Sequence, residues 1–246
     1  KFCDKYIEEC KASGETTNLH PMLKKILILI HPFAPFITEE VNKLIFDDGS
    51  LMKWPHIWFM SKIVLIGSNS AIAKSLQNRS DREFICFTRS NGFDINGDLS
   101  ELDNLDGING LVYFPGTINL KPFTMLKEQD YQNDLNINFL GAVKVVRKLI
   151  GKLKEADGAS VVFISTVAAS IGLPFHASIS PAKAALEAYT RSMAAEYVGA
   201  KICFNVVAPS LANTPMAENL LRTDRLIEAS KERNPMKQIG SPDQIS

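Results

Sequence analysis

The spacing of apolar residues changes close to Met60 and divides the chain into two segments. In residues 1–59 apolar side chains recur every three or four positions, which is the spacing of one face of a helix. The positions that carry this pattern are Phe2, Tyr6, Ile7, Cys10, Leu23, Ile26, Leu27, Ile30, Val41, Leu44 and Ile45. The pattern predicts three helical pieces, which together are small for an independent domain.

Beyond residue 60, short continuous apolar runs alternate with amphipathic stretches. Such runs are typical of buried strands, and strands that alternate with helices predict a parallel α/β sheet. The predicted strands are 61–67, 84–89, 93–95, 110–116, 160–166 and 201–209, and the predicted helices are 72–77, 125–136, 138–155 and 182–197. We therefore expect residues 60–246 to form a Rossmann-like, doubly wound parallel sheet, preceded by a small α-helical segment.

The composition is that of a globular protein. The 246 residues contain 27 basic and 27 acidic side chains, so the formal net charge is zero and gives no support to binding of a polyanion. No apolar stretch approaches the roughly 20 residues of a membrane span, and the first residues do not resemble a signal peptide. The four cysteines form no C-x-x-C pair, which argues against a zinc site and agrees with a cytoplasmic location.

A glycine turn follows the first predicted strand. The segment from Gly67 to Ala73 reads GSNSAIA, in which Ala71 and Ala73 stand where a dinucleotide-binding turn has its other two glycines. Backbone N–H groups at the start of the following helix would bind a pyrophosphate. The segment is equally consistent with a plain tight connection between a strand and a helix, so both interpretations stay open.

The second predicted strand ends at Thr88, Arg89 and Ser90. At this position of a dinucleotide-binding fold, an acidic side chain suits the free 2′-hydroxyl of NAD, whereas an arginine accommodates the 2′-phosphate of NADP. Arg89 therefore favours NADP over NAD. The alternative is that Arg89 is an ordinary arginine of the solvated surface.

Taken in order, the motifs of residues 60–246 resemble the short-chain dehydrogenase/reductase family. The segments that carry the resemblance are the turn at Gly67, YFPG at residues 113–116, DLNINFLGA around Asn138, VVFIST ending in Ser165 and Thr166, SPAKAALEAY around Lys183, NVVAPSLANT at residues 205–214 and NPMKQIGSPDQIS at residues 234–246. The resemblance implies hydride transfer between a nicotinamide dinucleotide and a carbonyl or alcohol substrate.

The resemblance also implies roles for individual residues. Asn138 would hold a water relay, and Lys183 would hydrogen-bond the nicotinamide ribose. Thr166, with Ser165 as the alternative, would orient the substrate carbonyl. The implied cofactor-binding residues are Gly67, Ser68, Asn69, Ser70, Ile72, Arg89, Asp94, Gly116, Lys183, Pro209 and Thr214.

Three features depart from the pattern of that family. Ile179 stands four residues before Lys183, where the family has its catalytic tyrosine, and loss of a positioned acid costs about 10²–10⁴-fold in rate. The chain between Arg89 and Asp94 is too short for the usual helix. The resemblance ends at Ser246, before the last helix and strand of the family, which would weaken a homo-oligomer interface.

His176 is the candidate to replace the missing tyrosine, because an imidazole titrates near neutral pH. It lies three residues before Ile179 in the segment LPFHAS. The simpler interpretation, which we favour, is that His176 caps a loop or faces solvent. Ser178 and Ser180 flank Ile179, but their hydroxyls ionise only at high pH.

Residues 1–59 resemble the anticodon-binding helical domain of class I aminoacyl-tRNA synthetases, most of all the valyl type. FCDKYIEECK, LHPFAPFITEEVNKLI and SLMKWP carry the resemblance, and no adenylate-forming motif accompanies them. This stretch has seven lysines and eight acidic residues, so by count it offers no basic surface to tRNA. We expect a remnant without catalytic function.

The sequence thus predicts an NADP-dependent oxidoreductase that acts on a small molecule, does not bind a membrane and can form a homo-oligomer. Two alternatives stay open, a catalytically silent nucleotide-binding protein and a synthetase fragment that binds tRNA. The segment after Thr214, AENLLRTDRLIEASKERN, would either cover the substrate or form a plain amphipathic surface helix.

Overall fold

The computed structural model describes residues 62–80 and 82–246. The helices predicted within residues 1–59 and the predicted boundary at Met60 lie outside these residues. The described part contains a five-stranded parallel sheet with the order β2-β1-β3-β4-β5, which confirms the predicted α/β class. The strands are β1 Lys62–Ile66, β2 Glu83–Phe87, β3 Ile108–Tyr113, β4 Ala159–Ile164 and β5 Ile202–Val207.

Helices follow β1, β3, β4 and β5, and the bounds of the first four helices agree with the prediction within a few residues. The helices are α1 Ala71–Asn78, α2 Glu128–Leu135, α3 Gly141–Glu155, α4 Ile179–Tyr197, α5 Asp224–Arg233 and α6 Pro242–Ile245. One turn of π-helix, Asn136–Leu140, joins α2 to α3. Such a turn widens the backbone and is often found at functional sites.

The sheet has an apolar core on each face, because successive side chains of a strand point to opposite sides. Val64 and Ile66 of β1 belong to the larger core, together with Leu149 of α3. Leu65 belongs to the smaller core on the other face, together with Ala73 of α1. This burial on both faces explains why β1 is continuously apolar rather than alternating.

The strand predicted at residues 93–95 is not formed. Thr88 and Asn91 close a capping box around a single 3₁₀ turn, which ends the extended backbone after β2. Phe93 instead packs against Phe87, with ring centroids 4.8 Å apart. The apolar alternation of this segment therefore comes from burial of its side chains in the core and not from pairing with a strand.

The segment after Thr214 forms two helical pieces rather than one. A 3₁₀ helix covers Pro215–Leu220, and α5 begins after Thr223, whose hydroxyl accepts the N–H of Leu226. Threonine is a favourable N-cap, so a new helix begins at this point. Within the described ranges, every helix is too short or too polar to cross a membrane.

Candidate functional site

A cleft of about 310 Å³ lies at the carboxyl ends of β1, β2 and β3. Six of the predicted cofactor-binding residues line it, namely Gly67, Asn69, Ser70, Arg89, Asp94 and Gly116. Ligands of open parallel sheets bind outside the carboxyl ends of the strands, so the position agrees with a dinucleotide site.

The turn after β1 requires a glycine. Gly67 has a φ of +77°, and a Cβ added there would lie 3.1 Å from Cδ of Pro115. Ser70 is the N-cap of α1 and accepts the N–H of Ala73 at 3.1 Å. The first N–H groups of a helix have no partner within it, so the start of α1 offers donors and a positive dipole end to an anion in the cleft.

The far side of the cleft carries an exposed arginine. Asn69 donates to the hydroxyl of Ser90 at 2.7 Å and so links the glycine turn to the end of β2. Arg89 lines the cleft and is exposed, and its guanidinium makes no hydrogen bond or ion pair with any residue that the structure describes. Asp94 also lines the cleft, where its carboxylate accepts the N–H of Asn96 at 2.9 Å. The guanidinium is therefore available to a ligand.

Lys183 is buried behind the cleft, with 6% of its surface exposed. Its ammonium donates to the carbonyl of Ile164, at the end of β4, over 2.6 Å. Burial removes solvent from the charge and lowers the pKa of Lys183 to about 8. Ile179 begins α4 one turn before Lys183 and is 5% exposed, so the predicted sharing of one helix face is confirmed.

Asn138 lies in the π-turn and is completely buried. Its side-chain nitrogen donates to the hydroxyl of Thr117 at 2.7 Å and to the carbonyl of Asp134 at 2.8 Å. A Cβ added to Gly116 would lie 3.2 Å from Oδ1 of Asn138 and 3.5 Å from Nζ of Lys183. Asn138 and Lys183 therefore both lie close to Gly116, which itself lines the cleft.

The two candidate hydroxyls at the end of β4 differ in their partners. Ser165 is buried and donates to the carboxylate of Glu187 on α4 at 2.6 Å. Thr166 is half-buried, and its oxygen accepts the N–H of Ala168 at 3.3 Å. Among the described residues the hydrogen of the Thr166 hydroxyl has no acceptor, which makes Thr166 the better donor to a substrate oxygen.

The neighbours of Ile179 have local contacts. Nδ1 of His176 lies 2.7 Å from the carbonyl of Pro174, which agrees with the favoured interpretation of a loop contact. The hydroxyl of Ser180 donates to the carbonyl of Ala168 at 2.8 Å. Ser178 is buried, and its hydroxyl has no partner in the described part of the chain.

Five predicted cofactor-binding residues do not line the cleft. They are Ser68, Ile72, Lys183, Pro209 and Thr214. Ile72 packs in the smaller core instead, and Pro209 accepts the N–H of Val167 at 3.1 Å. Thr214 precedes the 3₁₀ helix Pro215–Leu220.

The cleft also contains residues to which the sequence motifs assigned no role. Phe114, Asn96 and Met216 line it. Met216 lies directly before the segment AENLLRTDRLIEASKERN that we expected to cover the substrate, and none of the residues 217–234 lines the cleft. Met216 received no role from the sequence because it lies between the motif that ends at Thr214 and the segment that begins at Ala217.

Two family models match the chain. The model described as enoyl-(acyl carrier protein) reductase matches residues 100–246. The model described as the anticodon-binding domain of tRNA ligase matches residues 1–78, a span that runs past residue 60 and overlaps β1 and α1. The second match covers less than half of the chain.

Curated relatives agree with the first model. The chain is 31% identical over 142 residues to a tropinone reductase homolog of Datura stramonium, across 56% of this chain and 53% of that protein. It is 29% identical over 121 residues to the 3-oxoacyl-(acyl-carrier-protein) reductase FabG of Thermotoga maritima, across 49% of this chain and 48% of that protein. The chain thus spans about half the length of these relatives.

Solved structures share the fold. A short chain dehydrogenase family protein of Francisella tularensis superposes with a TM-score of 0.66 and 19% identity, over 76% of this chain and 88% of that one. A small-chain dehydrogenase in complex with NADPH superposes with a TM-score of 0.67 and 20% identity, over 76% and 87%. At this identity the likeness concerns the fold alone.

Proposed function

The chain belongs to the short-chain dehydrogenase/reductase family, and from this premise we propose that it transfers hydride between NADP(H) and a carbonyl or alcohol substrate. The observation that carries the proposal is that Asn138 and Lys183 both lie close to Gly116, which lines a cleft at the carboxyl ends of the strands. The NADPH-bound neighbour with the same fold gives further support to a nicotinamide dinucleotide.

The residues of the cleft fit such a cofactor. The absent Cβ at Gly67 and the start of α1 leave room and donors for a pyrophosphate. Arg89 is the residue that would bind a 2′-phosphate, which supports NADP over NAD. When bound, the dinucleotide supplies or accepts the hydride.

The side chains of the site can perform part of the remaining chemistry. Thr166 would donate its hydrogen to the substrate oxygen and orient the carbonyl. Lys183 would bind the ribose, and near pH 8 its amine exists in both protonation states. Ile179 cannot transfer a proton, so the proton must come from another group, for which His176 is the candidate.

A second function is favoured by one observation, the burial of Ile179 at the position of the missing tyrosine. An apolar side chain there leaves the cofactor cleft intact while it removes the acid. The protein would then bind the nucleotide without turnover. The synthetase-like match of residues 1–78 falls mainly on residues whose structure is not described, so it supports no site.

The deciding experiment is titration of the full chain with NADPH and with NADH, followed by assays of carbonyl reduction. We expect binding of NADPH at lower concentration than NADH. If the parent protein turns over and His176→Gln abolishes the activity, the oxidoreductase proposal holds with His176 as the acid. If the parent binds NADPH without turnover and Ile179→Tyr creates activity, the protein is a silent nucleotide binder. Binding of neither nucleotide contradicts both proposals.

The small-molecule substrate, the cytoplasmic location and the homo-oligomer stay predictions. We propose no individual substrate, because in this fold the specificity depends on the loops and on the covering segment after Thr214. Size-exclusion chromatography with light scattering measures the oligomeric state directly.

A further inference from the structure

Two side chains with a formal charge are buried among the described residues. They are Asp134 on α2, which is 2% exposed, and Lys183 on α4, which is 6% exposed. A buried charge is costly unless hydrogen bonds compensate it. Both residues adjoin the network around Asn138, and the proposed function assigns a role to only one of them.

The contacts of Asn138 admit one orientation of its amide. The carbonyl of Asp134 can only accept a hydrogen bond, so the amide atom 2.8 Å from it must be the nitrogen. The amide oxygen accepts the N–H of Thr117 at 3.3 Å. This oxygen therefore faces Gly116, on the same side as Nζ of Lys183.

Thr117 connects this amide to the buried carboxylate. Its hydroxyl oxygen accepts the second hydrogen of the Asn138 nitrogen at 2.7 Å. Its own hydrogen is donated to Oδ1 of Asp134. An ionised carboxylate only accepts, so Asp134 determines the direction of the bond from Thr117 and leaves the threonine oxygen free to accept from Asn138.

The second oxygen of Asp134 has no hydrogen-bond partner within the described ranges. A buried oxygen without a hydrogen-bond partner lowers the stability of the folded protein, so an apolar side chain at this position would be more favourable for packing alone. The bond to Thr117 is the side-chain contact that distinguishes aspartate from an apolar residue at this position.

We propose that Asp134 is a positioning residue of the site: by accepting the Thr117 hydroxyl, it holds the segment Gly116–Thr117 and the Asn138 amide in the arrangement that faces Lys183. The consequence for cofactor affinity rests on the proposed function, because it requires that Gly116 and Lys183 contact the dinucleotide. The consequence for the orientation of the Asn138 amide does not rest on the proposed function, because that amide is held in the protein without ligand.

Substitutions at Thr117 separate hydrogen bonding from packing. Thr117→Val keeps the shape but removes the hydroxyl, whereas Thr117→Ser keeps the hydroxyl but removes a methyl group. We expect Thr117→Val to weaken NADPH binding about tenfold and Thr117→Ser to stay within about threefold of the parent. Thr124→Val, at an exposed position of the 3₁₀ turn Phe123–Met125 between β3 and α2, is the control and should leave the dissociation constant unchanged.

Substitutions at Asp134 test the acceptor itself. Asp134→Asn retains an oxygen that can accept from Thr117, and Asp134→Leu does not. We expect Asp134→Leu to weaken NADPH binding as Thr117→Val does, and Asp134→Asn to resemble the parent. The double variant Asp134→Leu/Thr117→Val should bind NADPH no less tightly than the single variant with the larger loss of affinity, because both substitutions break the same hydrogen bond.

Hydrogen exchange of the Asn138 side-chain NH₂, measured by NMR on the full chain without ligand, gives a readout that does not depend on the cofactor. We expect slow exchange in the parent, in Thr117→Ser and in Asp134→Asn, and faster exchange in Thr117→Val and in Asp134→Leu. Thermal unfolding confirms that each variant is folded, and a variant that is not folded is replaced in the comparison by its partner at the other position.

The outcomes distinguish this inference from the proposed function. Damage from Thr117→Ser together with a neutral Thr117→Val would show a packing role and overturn the inference. Equal losses in Asp134→Asn and Asp134→Leu would overturn it as well, since the accepting oxygen would then not matter. A parent that binds no NADPH but shows the expected exchange pattern would refute the proposed function and leave the positioning of Asn138 by Asp134 supported.

Discussion

At the scale of single residues, burial changes the pKa of Lys183, a central residue of the site. The same lysine on the surface would stay protonated at every physiological pH. Here desolvation lowers its pKa from 10.5 to about 8, and the carbonyl of Ile164 holds its amine in place. The chain therefore carries a buried charge whose cost depends on pH.

The first prediction concerns this pH dependence. Between about pH 8 and pH 10.5 the unfolded chain binds more protons at Lys183 than the folded chain does, so this residue makes the free energy of unfolding rise with pH. The cost of the charge, about 3 kcal/mol below pH 8, disappears towards pH 10.5. Urea unfolding of the parent and of Lys183→Met at pH 7 and pH 10 measures how this cost changes with pH.

We expect the stability advantage of Lys183→Met over the parent to shrink as the pH rises. A difference between the two proteins that does not change with pH would contradict the desolvation of Lys183.

The second prediction concerns Arg89, whose guanidinium is exposed at the edge of the cleft. A charge-assisted contact with a 2′-phosphate would be lost and replaced by repulsion in Arg89→Asp. We expect the dissociation constant of NADPH to rise about tenfold or more, and that of NADH to change little. Arg147→Asp, on the exposed face of α3, is the matched control of equal charge change. Equal losses for both nucleotides would contradict the proposed role of Arg89.

At the scale of elements, the turn between β1 and α1 illustrates what a short motif can decide. The sequence GSNSAIA left two interpretations open. The turn lines the cleft at the start of a capped helix, and this position supports the proposed binding of a dinucleotide. Gly67 needs its conformational freedom there, whereas Ala71 and Ala73 lie within a regular helix and need none.

The third prediction tests this requirement. Gly67→Ala places a side chain at a φ of +77° and within 3.1 Å of Pro115, so it should destabilise the protein by about 1–2 kcal/mol and weaken NADPH binding. Gly151→Ala, inside α3 with open space around it, should instead stabilise the protein by about 0.5–1 kcal/mol. Denaturant unfolding of both variants and of the parent measures the two changes in the free energy of unfolding. Equal effects of the two substitutions would contradict the strain at Gly67.

At the scale of the molecule, the order β2-β1-β3-β4-β5 assembles the site from distant parts of the chain. The loops after β1, β2 and β3 form the cleft, and Lys183 reaches the end of β4 from α4. Parallel strands place all these ends at one edge, so the sheet brings the residues together although long segments separate them in sequence.

The last prediction concerns the stability that a ligand adds when it binds in the cleft at this edge of the sheet. A ligand that binds the folded chain and not the unfolded one raises the free energy of unfolding, by about 2.7 kcal/mol at a concentration of 100 times its dissociation constant. We expect NADPH to raise the unfolding temperature of the full chain, and to raise that of Arg89→Asp less. No shift at saturating NADPH would contradict binding in the cleft.

The sequence by itself determined the α/β class and most element bounds, because burial on two faces and helix periodicity are local patterns. Asn138, Thr166 and Lys183 became candidates only because their motifs resemble those of a family, and Gly67 because it follows the first strand. It misassigned residues 93–95, since apolar alternation cannot distinguish a paired strand from a loop that packs its side chains in the core. Only the tertiary structure decided that Asn138 and Lys183 meet at Gly116, that Asp134 is buried beside them and that the pKa of Lys183 falls. Proximity and desolvation arise when distant segments pack together, and no local pattern contains them.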